Sequence, residues 1–129
     1  MKKITKKWVK FAKDDLKNAK ILLKNKRYLG AIYYSHQTIE KFLKAILVEK
    51  KKKVPKTHDL LDLLKQTELP YPRETLEFLQ ELNPYYNPIR YPDAPEVVSL
   101  KLRRQKAEKI LKLTQETIKW LKFQLNQVK

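Results

Sequence analysis

The sequence contains no cysteine, which excludes a disulfide framework and any thiolate metal site. Its two histidines, His36 and His58, are too few for a metal centre built on imidazoles, so neither a metal nor another cofactor is expected. Only one glycine, Gly30, is present. That rules out a glycine-rich phosphate loop and a dinucleotide fingerprint, both of which need several glycines at fixed spacing. Long apolar runs are missing too, and stretches such as Ala45–Val48 are far too short to span a bilayer. The opening "MKKITKKWVKF" is basic, but lysines interrupt it before any apolar signal segment develops. These absences read as a soluble, cytoplasmic protein with no membrane partner.

What is present in excess is positive charge. The 129 residues carry a net charge of +16. Residues 1–56 hold 18 Lys and Arg against 4 Asp and Glu, residues 57–100 hold 3 against 8, and residues 101–129 hold 9 against 2. Basic ends around an acidic middle point to a polyanion such as RNA, or to an acidic protein. The plainer reading is that the lysines, spread over helix faces, form an ordinary solvated surface.

The chain is long enough for one domain, residues 1–129, with one core. Apolar residues recur at helical spacing. Ile4, Trp8, Phe11, Ala12, Ala19, Leu22 and Leu23 mark one broad face of a first helix, which ends in "KNKR" at 24–27. A second pattern from Tyr28 to Glu49 is apolar over so wide an arc that it reads as the central helix. Thr57 is placed to cap a short helix over "HDLLDLLKQ", and "RETLEFLQEL" forms another. A last helix runs from about Val97 to Gln127, with Leu100, Leu111, Ile118, Leu121 and Leu125 inward and Trp120 and Phe123 near them. No segment alternates as a strand. The expected fold is all-α, an up-and-down bundle of three long and two short helices.

Three polar groups stand out. His36, Gln37, Glu40 and Lys41 interrupt the most apolar helix, where His36 can reach Glu40 and Gln37 can reach Lys41 one turn on. They form either a patch facing a cleft or a helix edge reaching solvent. His58, beside Asp59, is an acid–base candidate or a tie between helices. In "NPYYNPIRYPDAP" (83–95), four prolines stiffen a loop that carries Arg90. The guanidinium suits phosphate or carboxylate, and Tyr85, Tyr86 and Tyr91 offer stacking faces. Arg90 can equally pair with Asp93 or Glu96.

Together, "AKDDLKNAKILL" (12–23), "SHQTIEKFLKAIL" (35–47), "THDL" (57–60) and "RYPD" (90–93), in that order, resemble the HEPN family, the helical domains named for higher eukaryotes and prokaryotes nucleotide-binding. The resemblance implies a helical bundle that forms a homodimer across its long helices. It also implies a minimal nucleotidyltransferase as partner, in a toxin–antitoxin-like pair. Catalytic members are metal-independent ribonucleases whose motif is Arg, four to six residues, then His. Arg90 matches the Arg, but positions 95–97 are Pro95, Glu96 and Val97, and no histidine follows His58.

The resemblance therefore implies a non-catalytic member that binds nucleotide or RNA through Arg90, Tyr91, Gln37 and Lys41, with His58 in a structural role and Glu40 at an interface or cleft. One alternative is a ribonuclease pairing Arg90 with His58 or Glu96. Another is a non-specific basic nucleic-acid binder.

Overall fold

The computed structural model describes residues 1–86 and 100–128, the side chains of 100–102 excepted. Five α-helices follow one another: α1 (Lys3–Lys24), α2 (Tyr28–Glu49), α3 (Leu60–Thr67), α4 (Arg73–Leu82) and α5 (Leu100–Asn126). A 3₁₀ turn, Asn83–Tyr86, continues α4. Three helices are long and two short, and among the described residues there is no strand. No described helix is long and apolar enough to cross a membrane.

The central element is α2, which packs against α1, α5, α3 and the 3₁₀ turn. Ile32, Ile39, Phe42, Leu43, Ile46 and Leu47 are almost wholly buried, which explains why this helix is apolar over most of its circumference. Leu60, Leu63 and Leu64 of α3, Leu79 and Leu82 of α4, and Ile110, Ile118 and Leu121 of α5 complete the core.

The face that α1 turns inward is not the one its large residues mark. Thr5, Ala12 and Ala19, seven apart, are wholly buried, whereas Ile4 and Phe11 are about half exposed at 49% and 51%. Small side chains let α1 lie close to α2, and the bulky ones are displaced to the flank. Phe123 of α5 is likewise exposed rather than near the core.

With one glycine available, the turns use other residues. Lys26 and Lys51 each adopt a left-handed backbone, φ 62° and 61°. After α1, the Arg27 and Lys26 amides return to the carbonyls of Leu22 and Leu23. After α2, those of Lys52 and Lys51 return to Leu47 and Val48. Both are the paired hydrogen bonds of a glycine-type helix ending made without glycine. Gly30 itself is helical and sits under α1, where a Cβ would stand 3.1 Å from Leu22 Cδ1.

Two cross-links fix the ends. α1 has no side-chain cap of its own. Instead Glu49 Oε1, at the end of α2, accepts from the Lys2 amide (2.9 Å) and the Thr5 hydroxyl (2.8 Å). These donors, led by the Lys2 amide, hold the Glu49 carboxyl below its usual range. Beyond α2, the lysine run is partly structural: Lys50 and Lys52 donate to the Thr67 and Gln66 carbonyls at the end of α3. Lysine ammoniums there satisfy acceptors that the helix leaves open and oppose its negative pole.

Candidate functional site

The cap of α3 is Asp59, not Thr57. The Asp59 carboxylate accepts from the Leu61 and Asp62 amides, while the Thr57 hydroxyl accepts from the Asp59 amide. The helix accordingly starts at Leu60 and leaves His58 in the preceding connection. Asn83, first residue of the 3₁₀ turn, locks onto this cap. Its Oδ1 accepts from the Leu60 amide at 2.8 Å, and its Nδ2 donates to Asp59 Oδ1 at 3.1 Å. Two segments more than twenty residues apart are thereby held side by side, and Tyr86 is brought onto His58. The rings stack with centroids 5.5 Å apart and planes inclined by 10°.

Beneath this stack lies a line of polar residues on α2, each one turn from the next: His36, Glu40 and Lys44. Their side chains do not reach solvent as a polar helix edge would. His36 is wholly buried, and Glu40 and Lys44 are 4% and 7% exposed. The Glu40 carboxylate is shared. Oε2 lies 3.0 Å from Lys44 Nζ, and His58 Nδ1 lies 3.0 Å from Oε1 and 3.2 Å from Oε2. A ring whose Nδ1 carries the proton donates it to this carboxylate and keeps Nε2 as its free nitrogen. His58 itself is exposed and lines a cavity of about 470 Å³ with Lys56, Thr57, Asp59, Asn83, Pro84 and Tyr86.

His36 plays a different part. Its Nδ1 is 3.8 Å from Glu40, beyond hydrogen-bond reach, and Gln37 and the Asn83 backbone face the ring outside good hydrogen-bond geometry. Burial pushes its pKa down to about 4 despite the neighbouring Glu40 charge, so the ring is neutral near pH 7. The described residues hold no group of three or more His, Asp and Glu arranged to bind a metal ion.

The structure thus unites His58 with Glu40 and Tyr86. It does not bring Lys41 into this group. The Lys41 ammonium pairs with Asp15, a largely buried residue of α1, and lies 6.0 Å from the Phe11 ring centre. Gln37 is half-buried on α2. Arg90, Tyr91 and Glu96 lie outside the described residues.

The link from Glu40 to His58 was not legible by helical spacing, which joins Glu40 to His36 instead. Asp15 carried no signal, since one carboxylate of an adjacent Asp pair on a lysine-rich helix looks like surface. Only a search for buried charge without a local partner would have raised either.

A family model for the HEPN domain matches residues 5–124. The fold superposes on the crystal structure of TT1696 from Thermus thermophilus with a TM-score of 0.77 and 29% identity, covering 92% of this chain and 95% of that one. It is also similar to ST0689, described as an archaeal HEPN homologue, with a TM-score of 0.76 and 25% identity over 97% and 99% of the two chains. A stretch of 46 residues is 44% identical to a Methanocaldococcus jannaschii protein named Putative toxin MJ1304. That stretch spans 36% of this chain and 30% of the relative.

Proposed function

This chain belongs to the HEPN family, and on that footing we propose that it is a toxin–antitoxin-like HEPN protein that binds a nucleotide or an RNA strand in the cavity beside His58. The observation that carries this reading is the His58–Tyr86 stack. It sets an aromatic wall and an imidazole nitrogen at the edge of a cavity, with the Lys56 ammonium on the same rim. A base can stack on such a wall whatever its identity, and a phosphate can take the ammonium. The name of the Methanocaldococcus relative supports the toxin-like class. Arg90 and Tyr91 enter as further ligand contacts on the strength of the "RYPD" motif.

In this reading the protein is a homodimer, acts with a minimal nucleotidyltransferase and does not itself cleave RNA, because its motif has Pro95, Glu96 and Val97 where the histidine belongs. Titration of labelled mononucleotides and short RNAs tests the binding. Micromolar affinity that is lost in both His58→Ala and Tyr86→Ala is the expected result, and unchanged affinity in both variants removes the site. Co-expression with a nucleotidyltransferase encoded nearby tests the partner, and failure to co-purify removes that half.

A second reading is favoured by Glu40. A carboxylate fixed on Nδ1 is the arrangement that readies Nε2 to take a proton. Nε2 would accept the proton of a ribose 2′-hydroxyl as its oxygen bonds to the adjacent phosphorus. The P–O5′ bond then breaks, and the leaving 5′ oxygen takes a proton from water. A 2′,3′-cyclic phosphate and a 5′-hydroxyl result, with Arg90 countering charge on the phosphate. RNA cleavage in EDTA that disappears in His58→Ala and Arg90→Ala is the expected signature; intact RNA across many sequences removes this reading.

A further inference from the structure

A second surface, on the other flank of α1, carries a pattern of its own. Lys3, Lys6, Lys10, Lys13, Lys17, Lys20 and Lys24 follow one another in steps of three and four from the first residue of the helix to the last. At about 100° per residue, all seven fall within roughly 100° of the circumference. At about 1.5 Å per residue, they form a ladder roughly 31 Å long with an ammonium every ~5 Å. All seven are exposed, and among the described residues none makes an ion pair. The ladder also borders concave surface. Lys6, Lys10, Lys13 and Lys17 line a trough of about 500 Å³ together with Met1, Val9 and Asp14. A smaller groove of about 200 Å³ joins Lys13 to Lys122 of α5.

We propose that this ladder is a track for the phosphodiester backbone of a single nucleic-acid strand, separate from the His58 cavity and independent of the function assigned to it. Like charges three and four residues apart repel along a helix, so an unbroken row of seven opposes helix formation. An external polyanion removes that repulsion. The charge spacing is of the right order, since a nucleic-acid strand carries a phosphate every ~3.4 Å when stacked and further apart when extended.

Other polyanions fit less well. A membrane touching the ladder would find a single apolar side chain to insert, Ile21 at the edge of the row, because the exposed Ile4 and Phe11 sit roughly 140° away around the helix. A folded acidic protein would need a desolvated centre to its interface, where lysine is depleted.

The test is a fluorescence-anisotropy titration of the full chain with labelled 20-nucleotide poly(U) and poly(dT) between 50 and 200 mM salt. Both should bind, with a log–log salt slope of about −3.5 to −5 if five to seven lysines contact phosphate. Replacing Lys6, Lys10, Lys13 and Lys17 with Gln should flatten the slope by about 3 and weaken binding at least tenfold at 100 mM salt, with helicity unchanged by circular dichroism. The milder pair Lys6→Gln and Lys13→Gln should flatten it by about 1.4 and serves if the quadruple variant folds poorly.

Neutralising Lys51, Lys53, Lys65 and Lys112 makes the same change in net charge on other faces and should leave the slope within about 1 of the parent. Equal effects from the two quadruple variants would overturn the proposal in favour of net charge alone. Binding to phosphatidylserine vesicles or polyglutamate but to neither oligonucleotide would overturn it as well. A mononucleotide is too short to span the ladder, so its titration reads the cavity, while the salt slope of the 20-nucleotide strand reads the ladder. The ladder and the cavity can therefore fail separately.

Discussion

Glu40 of α2 and His58, eighteen residues later, meet at 3.0 Å across the junction of the central helix and α3. The carboxylate is buried and the imidazole is exposed, so a charge held inside the protein orients a ring that solvent and ligands can reach. Lys44 Nζ lies 3.0 Å from Glu40 on the other side and supplies a counter-charge. The stacked Tyr86 covers one face of the imidazole.

Removing Glu40 should be costly. In Glu40→Ala, Lys44 keeps a buried ammonium with only the Trp8 ring, 5.9 Å away, facing it, and the loss should be about 3–5 kcal/mol. Urea unfolding would measure it. The double variant Glu40→Leu with Lys44→Met removes both charges and should recover most of the loss, because an apolar pair of similar size avoids the desolvation penalty.

His36 makes stability fall in acid. Its folded-state pKa is depressed to about 4 from 6.5, so between those values the unfolded chain binds a proton that the folded chain excludes. Its contribution is therefore fully present above about pH 6.5 and is lost as the pH falls towards 4, amounting to about 3 kcal/mol. Glu40, Gln37, His58 and Asn83 face the ring, and the Glu40 charge opposes the burial effect without cancelling it. Urea midpoints across this range should decline in the parent protein, and His36→Leu should flatten the decline.

Tyr86 should matter to ligand more than to fold. Tyr86→Ala removes the stack on His58 and a tilted contact with His36, each worth about 0.5–1.5 kcal/mol of stability. If a base stacks here, affinity for short RNA should drop about 5- to 100-fold, the equivalent of roughly 1–3 kcal/mol per base. Tyr86→Phe should keep most of the binding. Anisotropy and thermal melts on the same samples separate the two effects.

Lys51 holds a left-handed backbone at φ 61° with an exposed side chain. A Cβ in that region costs about 1–2 kcal/mol, of which glycine returns part after its greater unfolded entropy is counted. Lys51→Gly should thus stabilise the protein by about 0.5–1 kcal/mol, seen as a higher melting temperature. Lys26→Gly should behave alike, since Lys26 occupies the same position after α1.

Much of the fold was readable along the chain. Helical spacing gave five helices in their order, and the all-apolar character of residues 28–49 identified the central one. The order of four short motifs gave the family. Where large residues and packing parted, the reading slipped: Ile4 and Phe11 were expected on the inward face of α1, but Thr5, Ala12 and Ala19 occupy it. Close approach of two helices selects for small side chains, and hydrophobicity does not rank them highly.

The candidate site was only half legible. His58, Glu40, Gln37, Lys41 and Arg90 all stood out as residue types in unusual surroundings. Which of them meet was not written locally. Lys41 is drawn to Asp15 and Glu40 to His58, each across a separation that no helical period describes.

The sequence alone determined the helices and the excess of charge, because each is a periodicity or a sum over neighbours in the chain. The tertiary structure decided that Glu40 is buried and bound to His58, that His36 is sealed beneath them, and that Tyr86 closes over the imidazole. Asn83 captures the start of α3 from twenty-three residues away and so holds Tyr86 beside His58. A contact of that kind arises from the packing of whole helices, and no local pattern encodes it.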